Sequence, residues 1–250
     1  MTIGIIGLGM VGKAVEIGFA RCPVHVSDPK YNKITVEQVC KYNPEAIFVC
    51  VPTPSDDSQY SILTGVLDQI QNCGYKGVIA VKSTILPKYI ENRENVVYNP
   101  EFLSRATANK DFVNPPMLVI GGKRADDLLA IYSKYSDIDT PHVIITDIRT
   151  ACLAKYAMNS FYALKITYMN SLYEIAEKLK VDWPNMVEIF EKQPWMGTHH
   201  FQVPGPDGDR GFGGPCLPKD TEAFAAEYGI DLLRLALDLN SIYRGTTNGN

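Results

Sequence analysis

Thr2-Ile3-Gly4-Ile5-Ile6 runs directly into Gly7-Leu8-Gly9-Met10-Val11-Gly12. The apolar run reads as a buried strand, and the glycines after it fit G-x-G-x-x-G where a helical pattern, Lys13–Ala20, opens. Gly7 permits the tight turn, Gly9 lets a pyrophosphate approach the backbone, and Gly12 lets helix and strand pack closely. The helix start, with Met10 and Val11 in its first turn, offers N–H groups and the positive end of a dipole to that phosphate. The next strand, Val24–Ser27, leads to Asp28, 19 residues after Gly9. Dinucleotide sites carry an acid at about that distance to accept hydrogen bonds from ribose hydroxyls. An acid there repels a 2′-phosphate, so NAD is favoured over NADP. Lys30 and Lys33 stand nearby and pull the other way, and Lys33 belongs with the expected cofactor contacts.

Strands and helical patterns go on alternating to about residue 148. Ala46–Val51, Gly77–Val81, Val96–Tyr98, Met117–Ile120 and His142–Thr146 read as strands, with helices over Gln59–Asn72 and Ala125–Tyr135. Such alternation predicts an α/β fold with a doubly wound parallel sheet of the Rossmann type. Continuous apolar runs fit strands covered on both faces. The texture changes near Asp147. From Ile148 to Lys180 there is no proline or glycine, and Leu153, Tyr156, Phe161, Leu164, Tyr168, Leu172 and Ile175 recur at helical spacing. One long central helix of a smaller, all-helical domain is expected. A Gly/Pro-rich loop then spans Pro194–Pro218. Helices follow over Asp220–Tyr228, with Asp220 as N-cap, and over Asp231–Tyr243. The expected domains are 1–148 and 149–250.

At 46% hydrophobic residues the chain is too apolar for disorder, and a formal charge of −4 leaves no electrostatic footprint for nucleic acid. No apolar stretch reaches the roughly 18 residues of a membrane span. The N-terminus enters a strand with no charged leader, so a soluble, cytoplasmic protein without membrane contact is expected. The six cysteines form no C-x-x-C pair or zinc-spaced cluster. Adjacent His199 and His200 lack a partner at ligand spacing, and no metal is expected.

One cysteine stands apart. Gly211-Phe212-Gly213-Gly214-Pro215-Cys216-Leu217-Pro218-Lys219-Asp220 surrounds Cys216 with backbone-freeing glycines, a cation and a carboxylate. A thiol near positive charge is partly thiolate, which is the nucleophile; a lone cysteine is also often a buried hydrophobe. Lys155 and Asn159, four apart on the long helix, share a face. They could stabilise an oxyanion together or belong to a solvated polar surface. On residues alone, the chain reads as an NAD oxidoreductase with a candidate thiol and no defined substrate.

Gly211–Asp220 resembles the catalytic-cysteine motif of the UDP-glucose/GDP-mannose dehydrogenase family. Other segments are similar in order and spacing: Val51-Pro52-Thr53-Pro54-Ser55 to V-P/N-T-P-T, and Val81-Lys82-Ser83-Thr84-Ile85-Leu86-Pro87 to K-S-T-V-P. Asn99-Pro100-Glu101-Phe102-Leu103 with Lys110-Asp111-Phe112 matches N-P-E-F-L and K-D-F. Leu153-Ala154-Lys155-Tyr156-Ala157-Met158-Asn159-Ser160-Phe161 matches L-x-K-x-x-x-N-x-F.

The resemblance implies oxidation of a nucleotide sugar's C6 alcohol to a carboxylate, a four-electron reaction that reduces two NAD, with UDP-glucose as first guess. It implies that Cys216 forms a thiohemiacetal and then a thioester. Lys155 and Asn159 would hold the oxyanion, Asp220 would serve proton transfer or orient water, Glu101 would assist hydrolysis, and Thr84 would position water or the nicotinamide. Val51, Pro52, Thr53, Ser83, Thr84 and Lys219 would join the cofactor contacts. Glu101, Phe102, Leu103, Lys155, Asn159, Phe212 and Gly213 would meet the substrate. It implies a homodimer through the long helix.

The sequence departs from the family pattern at three places. Arg105 occupies the usual second-glutamate position of N-P-E-F-L-x-E. Trp195-Met196-Gly197 stands where R-I-G supplies an arginine. A further α/β domain that grips the nucleotide follows Asp231–Arg244 in the family, whereas this sequence ends at Asn250. The substrate would be held differently, a separate chain would complete the nucleotide site, or the sequence is a shortened form. Two rivals stay open: a two-electron β-hydroxyacid-type dehydrogenase, which needs no cysteine, and a non-catalytic NAD-binding remnant.

Overall fold

The structure is a computed structural model describing residues 2–54, 60–104 and 107–245. Ser55 and Arg105 lie outside the described residues. The chain divides into two compact units, Met1–Lys155 and Tyr156–Asn250.

In the first unit the seven strands are β1 (Ile3–Ile6), β2 (Val24–Ser27), β3 (Ala46–Val49), β4 (Val78–Val81), β5 (Val96–Tyr98), β6 (Leu118–Gly121) and β7 (Val143–Thr146). They form one sheet in the order β2-β1-β3-β4-β5-β6-β7. The first five run parallel in register, Ile3 opposite both Val24 and Ala46. β6 meets β5 antiparallel through Tyr98 and Gly121, and β7 follows β6 in parallel. The expectation of a parallel sheet therefore holds for most strands and not at this step. The helix joining β5 to β6 has only six residues, Ala108–Val113.

Alternation within each strand sorts side chains to two cores. In β3, Ile47 and Val49 enter one and Ala46 and Phe48 the other. The sheet is covered by α1 (Met10–Gly18), α2 (Val36–Lys41), α3 (Ser61–Asn72), α4 (Ala108–Val113) and α5 (Ala125–Tyr135). α2 begins on a capping box: Gln38 N donates to Thr35 Oγ1 at 3.2 Å, and Thr35 N to Gln38 Oε1 at 2.8 Å.

α6 (Ile148–Leu179) is the long helix, and the division between the units falls within it. The second unit continues with α7 (Trp183–Lys192), α8 (Leu217–Tyr228) and α9 (Asp231–Tyr243). Its core gathers Met169 and Ala176 of α6, Trp183 and Val187 of α7, and Phe201 and Val203 of the following loop. α8 starts three residues before the expected Asp220. Pro218 falls in its first turn, where a missing N–H costs nothing, so Cys216 is the N-cap and Asp220 sits a turn inside. Gly229, left-handed at φ 67°, ends the helix.

Candidate functional site

The glycine loop of the first unit is built for close approach. Gly7 has φ +91°, and a Cβ there would come within 2.8 Å of Cys50 O. A Cβ on Gly12 would collide with Gly7 O, whereas one on Gly9 would meet nothing within 4 Å. Gly12 is thus needed by the fold, and Gly9 keeps open space at the N-terminus of α1. Gly9 caps α1 without a side-chain hydrogen bond, so the first turn, Met10 and Val11 included, faces that space with its N–H groups. Asp28 Oδ2 accepts from Leu8 N at 2.6 Å and Oδ1 from Lys30 N at 2.8 Å. The acid therefore fixes the glycine loop and keeps lone pairs for further donors. Lys33 is exposed.

The strand order reverses between β1 and β3, each paired to the other. Ligands of open α/β sheets bind outside the carboxyl ends of strands at such a point. The loops after β3 and β4 meet there: Ser83 Oγ donates to Val51 O at 2.6 Å. Val51 and Thr53 are buried, Pro52 is exposed, and Ser83 and Thr84 are half-buried. The open Gly9, the packed Gly12 and the acid at the end of β2 together fit a dinucleotide.

A buried ionic cluster closes the first unit. Lys155 Nζ donates to Glu101 O at 2.7 Å and pairs with Glu101 Oε1 at 3.3 Å. Glu101 Oε2 accepts from Leu103 N at 2.6 Å. The ammonium lies 5.2 Å from the Phe102 ring centre. Lys155 is 5% exposed and Asn159 7%, which rules against a solvated polar face. The sequence reading assigned nothing to Lys82, the first residue after β4. Lys82 is buried and donates from Nζ to Asn99 Oδ1 at 3.0 Å; Tyr132 Oη donates to the same oxygen at 2.6 Å. Burial pushes the Lys82 ammonium down to about 8. A lysine ending a fully apolar strand was the available signal. Burial also pushes the Cys50 thiol up to about 12, which leaves it inert.

In the second unit Cys216 is half-buried at the N-cap of α8, where free N–H groups and the helix dipole favour an anion. One turn inside, Asp220 is 1% exposed. Its Oδ2 accepts from Asn159 Nδ2 at 2.6 Å, and its Oδ1 pairs with Lys219. Phe212 is buried and Gly213 half-buried. A Cβ on Gly213 would meet the Arg244 guanidinium, the movable end of the side chain that follows α9. Among the described residues no group of three or more His, Cys, Asp or Glu could hold a metal ion, and no helix is long and apolar enough to cross a membrane.

The expected site residues thus fall into a cradle with a Glu101–Lys155 pair in one unit and a Cys216–Asp220–Asn159 group in the other. Two domain models match the sequence: the NAD binding domain of the UDP-glucose/GDP-mannose dehydrogenase family over residues 33–139, and that family's central domain over 149–241. A UDP-glucose 6-dehydrogenase of Rickettsia bellii (strain RML369-C) is 36% identical over 195 residues, 71% of this chain and 44% of that protein. A GDP-mannose 6-dehydrogenase of Pseudomonas syringae pv. syringae is 31% identical over 226 residues, 80% of this chain and 50% of that protein. The chain spans about half the length of the curated relatives it matches. In fold it is similar to a UDP-glucose dehydrogenase from the hyperthermophilic archaeon Pyrobaculum islandicum, with a TM-score of 0.80, 24% identity, and coverage of 96% of this chain and 68% of that one.

Proposed function

This chain belongs to the UDP-glucose/GDP-mannose dehydrogenase family, and from that premise we propose that it oxidises the C6 alcohol of a nucleotide sugar to the carboxylate, with NAD as cofactor. UDP-glucose is the first candidate, because a UDP-glucose 6-dehydrogenase is among the relatives at the higher identity; the GDP-mannose relative makes GDP-mannose the next.

The observation that carries the reading is Cys216 at the head of α8, one turn from a buried Asp220 held by Asn159 and Lys219. When bound, NAD supplies the acceptor for hydride. The loop from Gly7 to Gly12 would hold its pyrophosphate and Asp28 its ribose. In the proposed second oxidation Cys216 Sγ adds to the C6 aldehyde, giving a tetrahedral centre that releases hydride more readily than a free aldehyde. Lys155 Nζ and Asn159 Nδ2 would donate to the oxygen on that centre. Oxyanion donors of this kind act through preorganisation, and both side chains are already buried and hydrogen-bonded. The resulting thioester would be opened by water, with Asp220 orienting it and Glu101 taking its proton. Thr84 and Lys219 belong to the proposed cofactor side; Phe102, Leu103, Phe212 and Gly213 to the proposed sugar side. Residues 1–148 and 149–250 are the proposed functional domains. The cytosol keeps thiols reduced and is the proposed setting for a thiol nucleophile.

A second copy of this chain is the proposed partner of α6. Phe161, Tyr168 and Ile175, all more than half exposed, recur every seven residues, the period of a helix–helix seam. A separate chain completing the nucleotide site is the second proposed partner.

The test is a panel of nucleotide sugars assayed for NADH release, wild type beside Cys216→Ser. Two NADH per acid formed, and loss of acid formation in Cys216→Ser, are expected. One NADH per product with Cys216→Ser unimpaired would establish the two-electron reading instead. NAD binding without sugar-dependent NADH from any member of the panel would leave a non-catalytic NAD protein.

A further inference from the structure

Two buried asparagines on different helices hold the loop before Cys216. Asn240 of α9 reaches Phe212 with both ends of its amide: Phe212 N donates to Oδ1 at 2.6 Å, and Nδ2 donates to Phe212 O at 3.0 Å. Asn170 of α6 takes the preceding residue, its Oδ1 accepting from Gly211 N at 3.0 Å and from Arg210 Nε at 3.3 Å. Asn240 is 9% exposed and Asn170 1%. Arg210 is pinned further, through its terminal nitrogen, to Asn170 O at 3.2 Å and Glu174 Oε1 at 3.0 Å. Gly211 sits at φ +72°, and a Cβ there would collide with Asn240 Oδ1. That glycine is therefore explained by the asparagine above it.

We propose that Asn240, seconded by Asn170, is the positioning residue for Cys216, the amide fixing Phe212 so that the thiol stays at the N-terminus of α8. The proposal rests on the reading of Cys216 as nucleophile. Between Phe212 and Cys216 lie Gly213, Gly214 and Pro215, and Gly214 is at φ +77° with nothing within 4 Å of an added Cβ. Glycines carry the largest backbone entropy to lose on ordering. Such a stretch holds its end residue only if both flanks are tied. α8 ties one flank, through Asp220 N to Cys216 O at 2.9 Å; the Asn240 amide ties the other. An asparagine mid-helix sacrifices helix propensity. Here it does for Phe212 what a neighbouring strand would, giving one donor and one acceptor to a single residue's backbone.

The test reads the thiol directly and needs neither sugar nor NAD. The rate of Cys216 carbamidomethylation by iodoacetamide is followed against pH by peptide mass spectrometry, and amide exchange over residues 206–216 is measured alongside. Wild type is compared with Asn240→Ala, Asn240→Asp and the exposed neighbour Asp238→Asn. In Asn240→Ala, exchange in the loop should rise on the order of tenfold, the equivalent of about one buried hydrogen bond. The alkylation profile should move to higher pH as the thiol leaves the helix terminus, while α9 amides near Leu233 keep their protection. Asn240→Asp keeps the acceptor for Phe212 N and loses the donor, and should fall between. It also carries the test if Asn240→Ala does not fold. Asp238→Asn should match wild type. An unchanged alkylation profile in both Asn240 variants, or exchange that rises equally throughout α8 and α9, would overturn the proposal. Because turnover is not measured, that failure is distinct from failure of the nucleotide-sugar reading, which Cys216→Ser decides.

Discussion

Asn159 Nδ2 donates to Asp220 Oδ2 at 2.6 Å across 61 residues of sequence, and Lys219 takes the other carboxylate oxygen. Both Asp220 oxygens therefore already have a partner, and the carboxylate itself is almost fully buried. Asp220→Asn takes the negative charge away from Lys219 and leaves one carbonyl oxygen where two carboxylate oxygens had accepted. Removing one partner of a buried pair costs about 3 kcal/mol, and urea unfolding should show a loss of that order. Adding Asn159→Asp to the same chain moves the carboxylate to the other side of the contact and should recover part of the loss. A double variant no more stable than Asp220→Asn would mean the contact contributes little.

The two loop glycines should separate folding from cofactor binding. Gly12→Ala drives a methyl into Gly7 O, which is rigid backbone, so thermal stability and NAD affinity should fall together. Gly9→Ala meets nothing within 4 Å and should melt like wild type while calorimetry shows weakened NAD binding. Wild-type affinity in Gly9→Ala would remove that open space from the cofactor path.

Lys82 supplies a pH signature. Its folded value of about 8 lies below the ordinary 10.5, with burial as the main cause. Below pH 8 both folded and unfolded chains hold the proton, and the folded state bears the whole cost of a buried ammonium. Between about 8 and 10.5 only the unfolded chain retains it, so stability rises with pH across that window, by a few kcal/mol at most. Lys82→Met removes the cost, and Asn99 Oδ1 keeps its bond from Tyr132. The variant should exceed wild type near pH 7, the gap closing toward pH 10.5 in a series of urea melts. A gap that does not depend on pH would contradict the assignment.

Lys155→Met removes the ammonium from Glu101 and one donor from the proposed oxyanion site. On a competent nucleotide sugar, kcat should fall on the order of 100- to 1000-fold, with NAD affinity retained. A loss confined to KM would recast Lys155 as a substrate-binding residue only.

Much of this architecture was legible because strands and long helices carry strong periodic signals. Val24–Ser27, Val96–Tyr98, Ala125–Tyr135 and Asp231–Tyr243 occur at the expected bounds, and the long helix ends one residue short of Lys180. The six-residue helix Ala108–Val113 and the direction of β6 depend on tertiary packing and leave no periodic trace. Asp220 resembled an N-cap because Pro218 looked like a loop residue, yet a first turn accepts proline. Lys155 and Asn159 could be placed on one face by spacing, whereas their burial could not. Asn170 and Asn240 announced themselves only as poor helix formers within helices.

The sheet ends on β7, where Val143, Ile144 and Ile145 are each 44–45% exposed. Among the described residues β7 pairs with β6 alone, and an edge strand of this kind is a template onto which an extended segment can add. An apolar edge strand of this kind is where self-association at high concentration would begin. A single cationic guard at Ile144 would be the least intrusive remedy for preparing the protein.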